Sequence, residues 1–197
     1  MQARHLLLIA SLLFLIGCQD VDRQKPEIAN KDLVRISNAE VSPDLKALVM
    51  GNNRFAWDLY GRLRAEKGKI FFSPNSISTA LAMTYGGARG DTEKQMADVL
   101  HFDIAQDQLH QSFSALRERL NVNDKDIEVR IANRLWGQTG YKFLPAYLQL
   151  TKDRYGAELG EVDFIHKAEA ARQEINAWVT EQTQGKIKDL IPAGVLN

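Results

Sequence analysis

The run from Ile70 to Phe102, IFFSPNSISTALAMTYGGARGDTEKQMADVLHF, constrains the fold of this chain more than any other. Ile70-Phe71-Phe72 is short, apolar and bounded by turn formers, a pattern that predicts a buried strand. Ser73 is placed to cap a helix that opens on Pro74, where a missing N–H costs nothing. Ile77, Ala80, Leu81, Ala82 and Met83 leave that helix almost without a polar face, so it must be covered on most sides. Gly86-Gly87 stops it. Thr92 and Gln95 then have capping-box spacing for a helix carrying Met96, Val99 and Leu100. Two capped helices in series behind a buried strand require a packed domain around them.

Elements on either side supply that domain. After Ser42-Pro43, Asp44 begins a helix whose stripe is Leu45, Leu48, Val49, Asn52, Ala56, Leu59 and Leu63, with Phe55 beside it. Its stop is Lys67-Gly68-Lys69, and Asn52 is expected at the margin of the stripe. Beyond Phe102, His110 to Leu120 reads as an amphipathic helix through Phe113, Leu116 and Leu120. Asp126 to Trp136 then changes period: Ile127, Val129, Ile131, Asn133 and Leu135 alternate with Glu128, Arg130, Ala132, Arg134 and Trp136, which predicts one long strand. Asn133 is anomalous on an otherwise apolar face, because a buried amide needs partners. Pro145 opens a helix ending near Tyr155-Gly156, and Leu159 to Phe164 predicts a strand. The last helix runs from Ala168 to Gln184, with Ala171, Ile175, Trp178 and Val179 on one face and Gly185 as its stop. The class is α+β.

The first residues point to export. Arg4 and His5 precede an apolar run, Leu6 to Ile16, too short to span a bilayer and suited to a secretory leader. It ends at Leu15-Ile16-Gly17-Cys18, just before the only cysteine, in an arrangement similar to a bacterial lipobox. A lone cysteine in an exported chain cannot form an internal disulfide. Lipidation of Cys18 after cleavage is therefore the expectation, with an ordinary signal peptide and an incidental cysteine as the alternative. Gln19 after the cysteine favours the outer membrane in the resembled system. From Gln19 to Pro43 the chain is polar, with too few apolar residues for a core, and reads as a tether. The expected organisation is a leader over 1–17, a lipidated cysteine and tether over 18–43, and one domain over 44–197.

The composition balances 25 basic against 25 acidic residues. No basic block is present, so nucleic acid is not an expected partner. No G-x-S-x-G, S-x-x-K, H-E-x-x-H or P-loop motif occurs. Ser73, Ser76 and Ser78 cluster, but helix capping and buried hydroxyl bonding explain them without a catalytic base. Asp163 with His166, and Asp98 with His101 and Asp103, lack the spacing of a metal site and read as solvated surface. Arg89-Gly90-Asp91 bridges two helices. Trp57, Trp136 and Trp178 stand at core-like positions and read as packing. No catalytic residue, cofactor or metal is expected.

The opening run resembles, nearly position by position, the segment near the start of the serpin domain. In that family a buried strand ends in Phe-Ser-Pro, followed by Ser-Ile, an Ala-Leu helix, a Gly-Ala turn and Thr-x-x-Gln-Met. Ala132-Asn133-Arg134-Leu135-Trp136 is similar to the second strand of the family's sheet A. Tyr155-Gly156-Ala157 through Val162-Asp163-Phe164 is similar to the next helix end and strand. Ile175-Asn176-Ala177-Trp178-Val179 and Thr183-Gln184-Gly185-Lys186-Ile187 are similar to helix F and the turn beyond it.

The resemblance implies a truncated serpin fold: helices A to F with the first strands of sheets A and B. It implies a suicide inhibitor of serine, and in some members cysteine, proteases, whose cleaved reactive loop inserts as a strand into sheet A. It also implies that Ser73, Ser76 and Asn133 form the shutter beneath that sheet. The family's reactive loop lies downstream of Asn197, so no scissile bond is expected here. The chain is expected to be a fragment of a longer product, or else a truncated descendant, without inhibition of its own. A non-inhibitory serpin-fold envelope lipoprotein is the alternative. An envelope hydrolase using Ser76 is a third reading.

Overall fold

The computed structural model describes residues 8–11, 41–121 and 131–196. Cys18, the tether from 19 to 40 and the first residues of the expected long strand lie outside them. The elements run β1 (Leu8–Ser11), α1 (Pro43–Leu63), α2 (Pro74–Tyr85), α3 (Asp91–Leu100), α4 (Gln106–Leu120), β2 (Asn133–Gln138), α5 (Pro145–Tyr155), β3 (Leu159–Val162) and α6 (Ala168–Gln182). Among the described residues no helix is long and apolar enough to cross a membrane.

Both Ser-Pro starts behave as their chemistry dictates. Ser42 Oγ accepts the Leu45 N–H at 3.2 Å, and Ser73 Oγ accepts the Ser76 N–H at 3.2 Å, each before a proline in the first turn. On α1 the buried positions are Leu45, Leu48, Gly51, Asn52 and Phe55. The stripe is therefore rotated towards Phe55, and Val49 is exposed. Gly51 is why α1 can approach so closely. A Cβ there would stand 2.3 Å from the His101 carbonyl oxygen, a backbone atom that cannot swing aside. As expected of a helix without a polar face, α2 has no fully exposed residue.

Three local readings differ from the structure. Ile70–Phe72 is not a strand: it runs without ladder bonds, and Phe71 is 62% exposed. Its sequence favours burial, but among the described residues no strand pairs with it. The helix after the double glycine begins at Asp91, with Gly90 at its N-cap at φ 64° and no side-chain cap, so Thr92 lies inside the first turn. There Asp91 and Glu93 complement the helix dipole, and a capping box is not used. Trp57 is 72% exposed and meets Tyr60 edge to face, so it is not a core tryptophan.

The sheet has the order β1-β2-β3. The backbone of β1 pairs antiparallel with β2, from Leu8 opposite Trp136 to Ser11 opposite Asn133. On the other side β3 is parallel to β2, from Leu135 opposite Leu159 to Gln138 opposite Val162. A parallel neighbour requires a crossover, which α5 provides.

Strand β2 is buried on both faces, and this divides the core. Leu135, fully buried, joins Leu48, Phe55, Met83, Leu109 and Phe113 of α1, α2 and α4. Trp136, also fully buried, joins Val162, Ile175, Val179 and Ile191 beneath α6. The alternation placed Trp136 on the polar face of the strand, but α6 covers that face as well. The result is three layers: the helices α1 to α5, the sheet, and α6. The expected stop of α6 is present, since the Gly185 N–H returns to the Thr180 carbonyl at 2.7 Å.

Candidate functional site

The helices and the sheet meet where the start of α2 lies near the start of β2. Ser73 has extended backbone at the N-cap, and its hydroxyl donates to Ser76 Oγ at 3.0 Å while accepting the Ser76 N–H. Ser76 is buried. One turn on, the fully buried Ser78 donates to Asn52 Oδ1 at 2.6 Å and ties α2 to α1. Thr79 Oγ1 returns to the Asn75 carbonyl at 2.8 Å. These hydroxyls satisfy a helix start placed in a core, where an unpaired polar group would cost about 1–3 kcal/mol.

Asn133 opens β2 and faces the same layer. It lines a small cavity with Asn75 and Thr79 of α2, Phe113 and Arg117 of α4, and Tyr155. Its side-chain oxygen is buried and has no hydrogen-bond partner. The structure thus brings Ser73 and Ser76 into one hydrogen-bonded pair and sets Asn133 beside the same helix, with its oxygen bonded to neither serine. Sequence reasoning read Ser78 as a buried hydroxyl without naming its partner and placed Asn52 at the margin. The signal available was Asn52 itself, a polar residue in the middle of an apolar stripe.

The acidic and histidine clusters are structural. Asp163 Oδ1 accepts from Gln138 Nε2 at 3.0 Å and from the His166 N–H at 3.1 Å. These bonds, the one from Gln138 first, hold its carboxyl down at about 2. Gln138 Oε1 in turn accepts the Phe164 N–H at 2.8 Å, so the pair fixes the turn that ends β3. His101 pairs with Asp58 at 2.7 Å, and Arg54 pairs with Asp103, which pins the turn after α3 to α1. Among the described residues no three His, Cys, Asp or Glu side chains are grouped to hold a metal ion.

Residues 50–197 match the family described as Serpin (serine protease inhibitor). The chain belongs to the serpin family. The leukocyte elastase inhibitor of Xenopus tropicalis is 48% identical over 146 residues, covering 73% of this chain and 38% of that protein. The leukocyte elastase inhibitor of Homo sapiens is 41% identical over 155 residues, covering 78% and 41%. Among solved structures, emu ovalbumin superposes with a TM-score of 0.71 at 29% identity, over 77% of this chain and 43% of that one. The reactive-loop-cleaved human thyroxine binding globulin does so with a TM-score of 0.68 at 35% identity, over 75% and 45%. The serpin fold expected from the Ile70–Phe102 run is therefore present, and the chain spans about two fifths of the length of the relatives it matches.

Proposed function

We propose that this chain is the N-terminal part of a longer serpin that inhibits an elastase-type serine protease as a suicide substrate. The observation that carries this reading is the 41–48% identity to proteins named leukocyte elastase inhibitor. Inhibition of this kind needs a sheet whose strands can part to admit a cleaved loop. The arrangement around Asn133 is consistent with such a sheet. Ser73 and Ser76 are bonded to one another, whereas the Asn133 oxygen at the start of β2 is bound by neither. No hydrogen bond from the Asn133 oxygen to Ser73 or Ser76 has to break for β2 to shift over α2.

In the full-length product, incubation with a pancreatic or neutrophil-type elastase should give an SDS-resistant covalent complex. Clean cleavage without complex would reject inhibition and support the non-inhibitory reading. Asn133→Leu should lower the share of inhibitor trapped per cleavage on the order of tenfold, about 1.4 kcal/mol in partitioning. Unchanged trapping and unchanged polymerisation would remove Asn133 from the shutter.

The export reading is a separate proposal, supported by the sequence Leu15-Ile16-Gly17-Cys18 behind an apolar leader. Lipidation there would anchor the serpin to the bacterial cell envelope by several acyl chains. Metabolic labelling with palmitate should mark the wild type and not Cys18→Ser; equal labelling of both would overturn it.

A further inference from the structure

His110 is 1% exposed in the middle of the helical core, a poor place for a titratable ring. Its Nδ1 lies 2.6 Å from the Tyr155 hydroxyl, and the two rings meet edge to face at 5.7 Å. Its Nε2 is buried and has no partner. On that side the ring faces Gly86, where a Cβ would sit 3.4 Å from Nε2. Tyr155 is the last residue of α5, directly before the Gly156 cap that turns the chain towards β3. Helix α5 packs against α4. The imidazole–phenol contact is thus a buried polar link between α4 and the α5–β3 unit.

We propose that the His110–Tyr155 contact is a proton-operated latch, and that acidification frees α5 and β3 from α4 before the rest of the fold gives way. A neutral imidazole needs one donor and one acceptor role, and Tyr155 satisfies one of them. An imidazolium presents two N–H donors. If the phenol donates to Nδ1 in the neutral state, the new proton goes to Nδ1 and the phenol must rotate to accept it. If Nδ1 already donates, the new N–H is on Nε2 and points at Gly86 with nothing to receive it.

The charged and titratable groups around the ring do not rescue it. Asp107, on α4 itself, favours the proton, while Arg154 of α5 and Arg89 of the turn after α2 oppose it. Tyr85 of α2, with its ring centre 6.3 Å away, and Tyr155 are neutral phenols. Burial pushes the Tyr155 hydroxyl well above its usual range, so it remains a phenol throughout. For His110 itself burial is the largest influence, and it lowers the ring from 6.5 to about 4.

The sign follows from linkage. The opened state takes up a proton near the ordinary histidine value, whereas the closed state resists until about 4. Closure is therefore complete at neutral pH and is lost as the pH falls between those values.

Hydrogen exchange on the intact chain, corrected for the intrinsic pH dependence of amide exchange, tests this. Between pH 7.5 and 5.0, opening of α5 and β3 should rise about 25-fold, while α1 and α6 change little. In His110→Asn, whose amide N–H replaces Nδ1, that rise should vanish. Tyr155→Phe keeps the ring and removes the link, so α5 should already exchange faster at pH 7.5, with the acid increment retained. A rise that persists in His110→Asn, a rise shared equally by α1 and α6, or neutral-pH exchange unchanged in Tyr155→Phe would each overturn the latch.

Discussion

Trp136→Ala should lower the stability of the fold by about 4 kcal/mol, the middle of the range for truncating a buried aromatic. Trp136 is fully buried and fills the space between the sheet and α6, against Val162, Ile175 and Val179. The Arg134 guanidinium lies 4.4 Å over its ring, and Trp178 meets it edge to face at 6.2 Å. Its indole N–H has no partner, so the loss is one of packing and not of a hydrogen bond. Opposite it on β3 stands Gly160, where a Cβ would fall 2.5 Å from the indole Cε3. Gly160 has no side chain with which to fill the hole.

The same geometry supplies an internal check. Gly160→Ala should cost about 1–3 kcal/mol in the wild type through overpacking. In the Trp136→Ala background it should cost nothing or restore part of the loss. Urea denaturation of the two single variants and the double variant gives the coupling directly. If Gly160→Ala costs the same in both backgrounds, the indole does not pack over Gly160 as described.

What could be read from the sequence was chiefly what local chemistry decides. Ser42 and Ser73 cap their helices because a hydroxyl before proline has few better uses. The helix from Pro145 to Tyr155 and the strand from Leu159 were visible in their turn signals and periodicity. Burial was less legible, since hydrophobicity states what a segment tolerates and not which layer covers it. Phe71 and Trp57 are exposed despite their chemistry, and Trp136, which its size and chemistry marked as packing, is buried on the side that alternation marked as wet. Alternation assumes one solvated face, and β2 has none. At the site, the Ser73–Ser76 pair follows from N-cap spacing. The Ser78–Asn52 and His110–Tyr155 contacts join residues 26 and 45 apart, a separation no local pattern encodes. The resemblance marked Asn176 and Thr183 as parts of a motif without supplying the reason for either.

That reason is a staple between α6 and the segment that follows it, and it carries the second large effect. Asn176 is buried; its Nδ2 donates to the Ile191 carbonyl at 2.9 Å, and its Oδ1 accepts the Ile191 N–H at 2.9 Å. The side-chain amide thus pairs with Ile191 as a neighbouring strand would. Arg172 donates to the same carbonyl at 2.9 Å, and Thr183 Oγ1 accepts the Ile187 N–H at 3.0 Å. With its backbone held, Ile191 packs its side chain into the cluster around Trp136.

Asn176→Ala removes two hydrogen bonds and leaves the buried Ile191 N–H without an acceptor, so it should cost about 3 kcal/mol. Asn176→Asp keeps the acceptor for the Ile191 N–H but sets a carboxylate oxygen against the Ile191 carbonyl. Arg172 offsets part of that repulsion and of the buried charge, so the overall cost should stay about 2–3 kcal/mol while the N–H bond itself is kept. Amide exchange resolves the cause: the Ile191 N–H should lose protection in the alanine variant and keep most of it in the aspartate variant. Equal protection in both would mean that apolar packing, and not the amide of Asn176, holds this segment to α6.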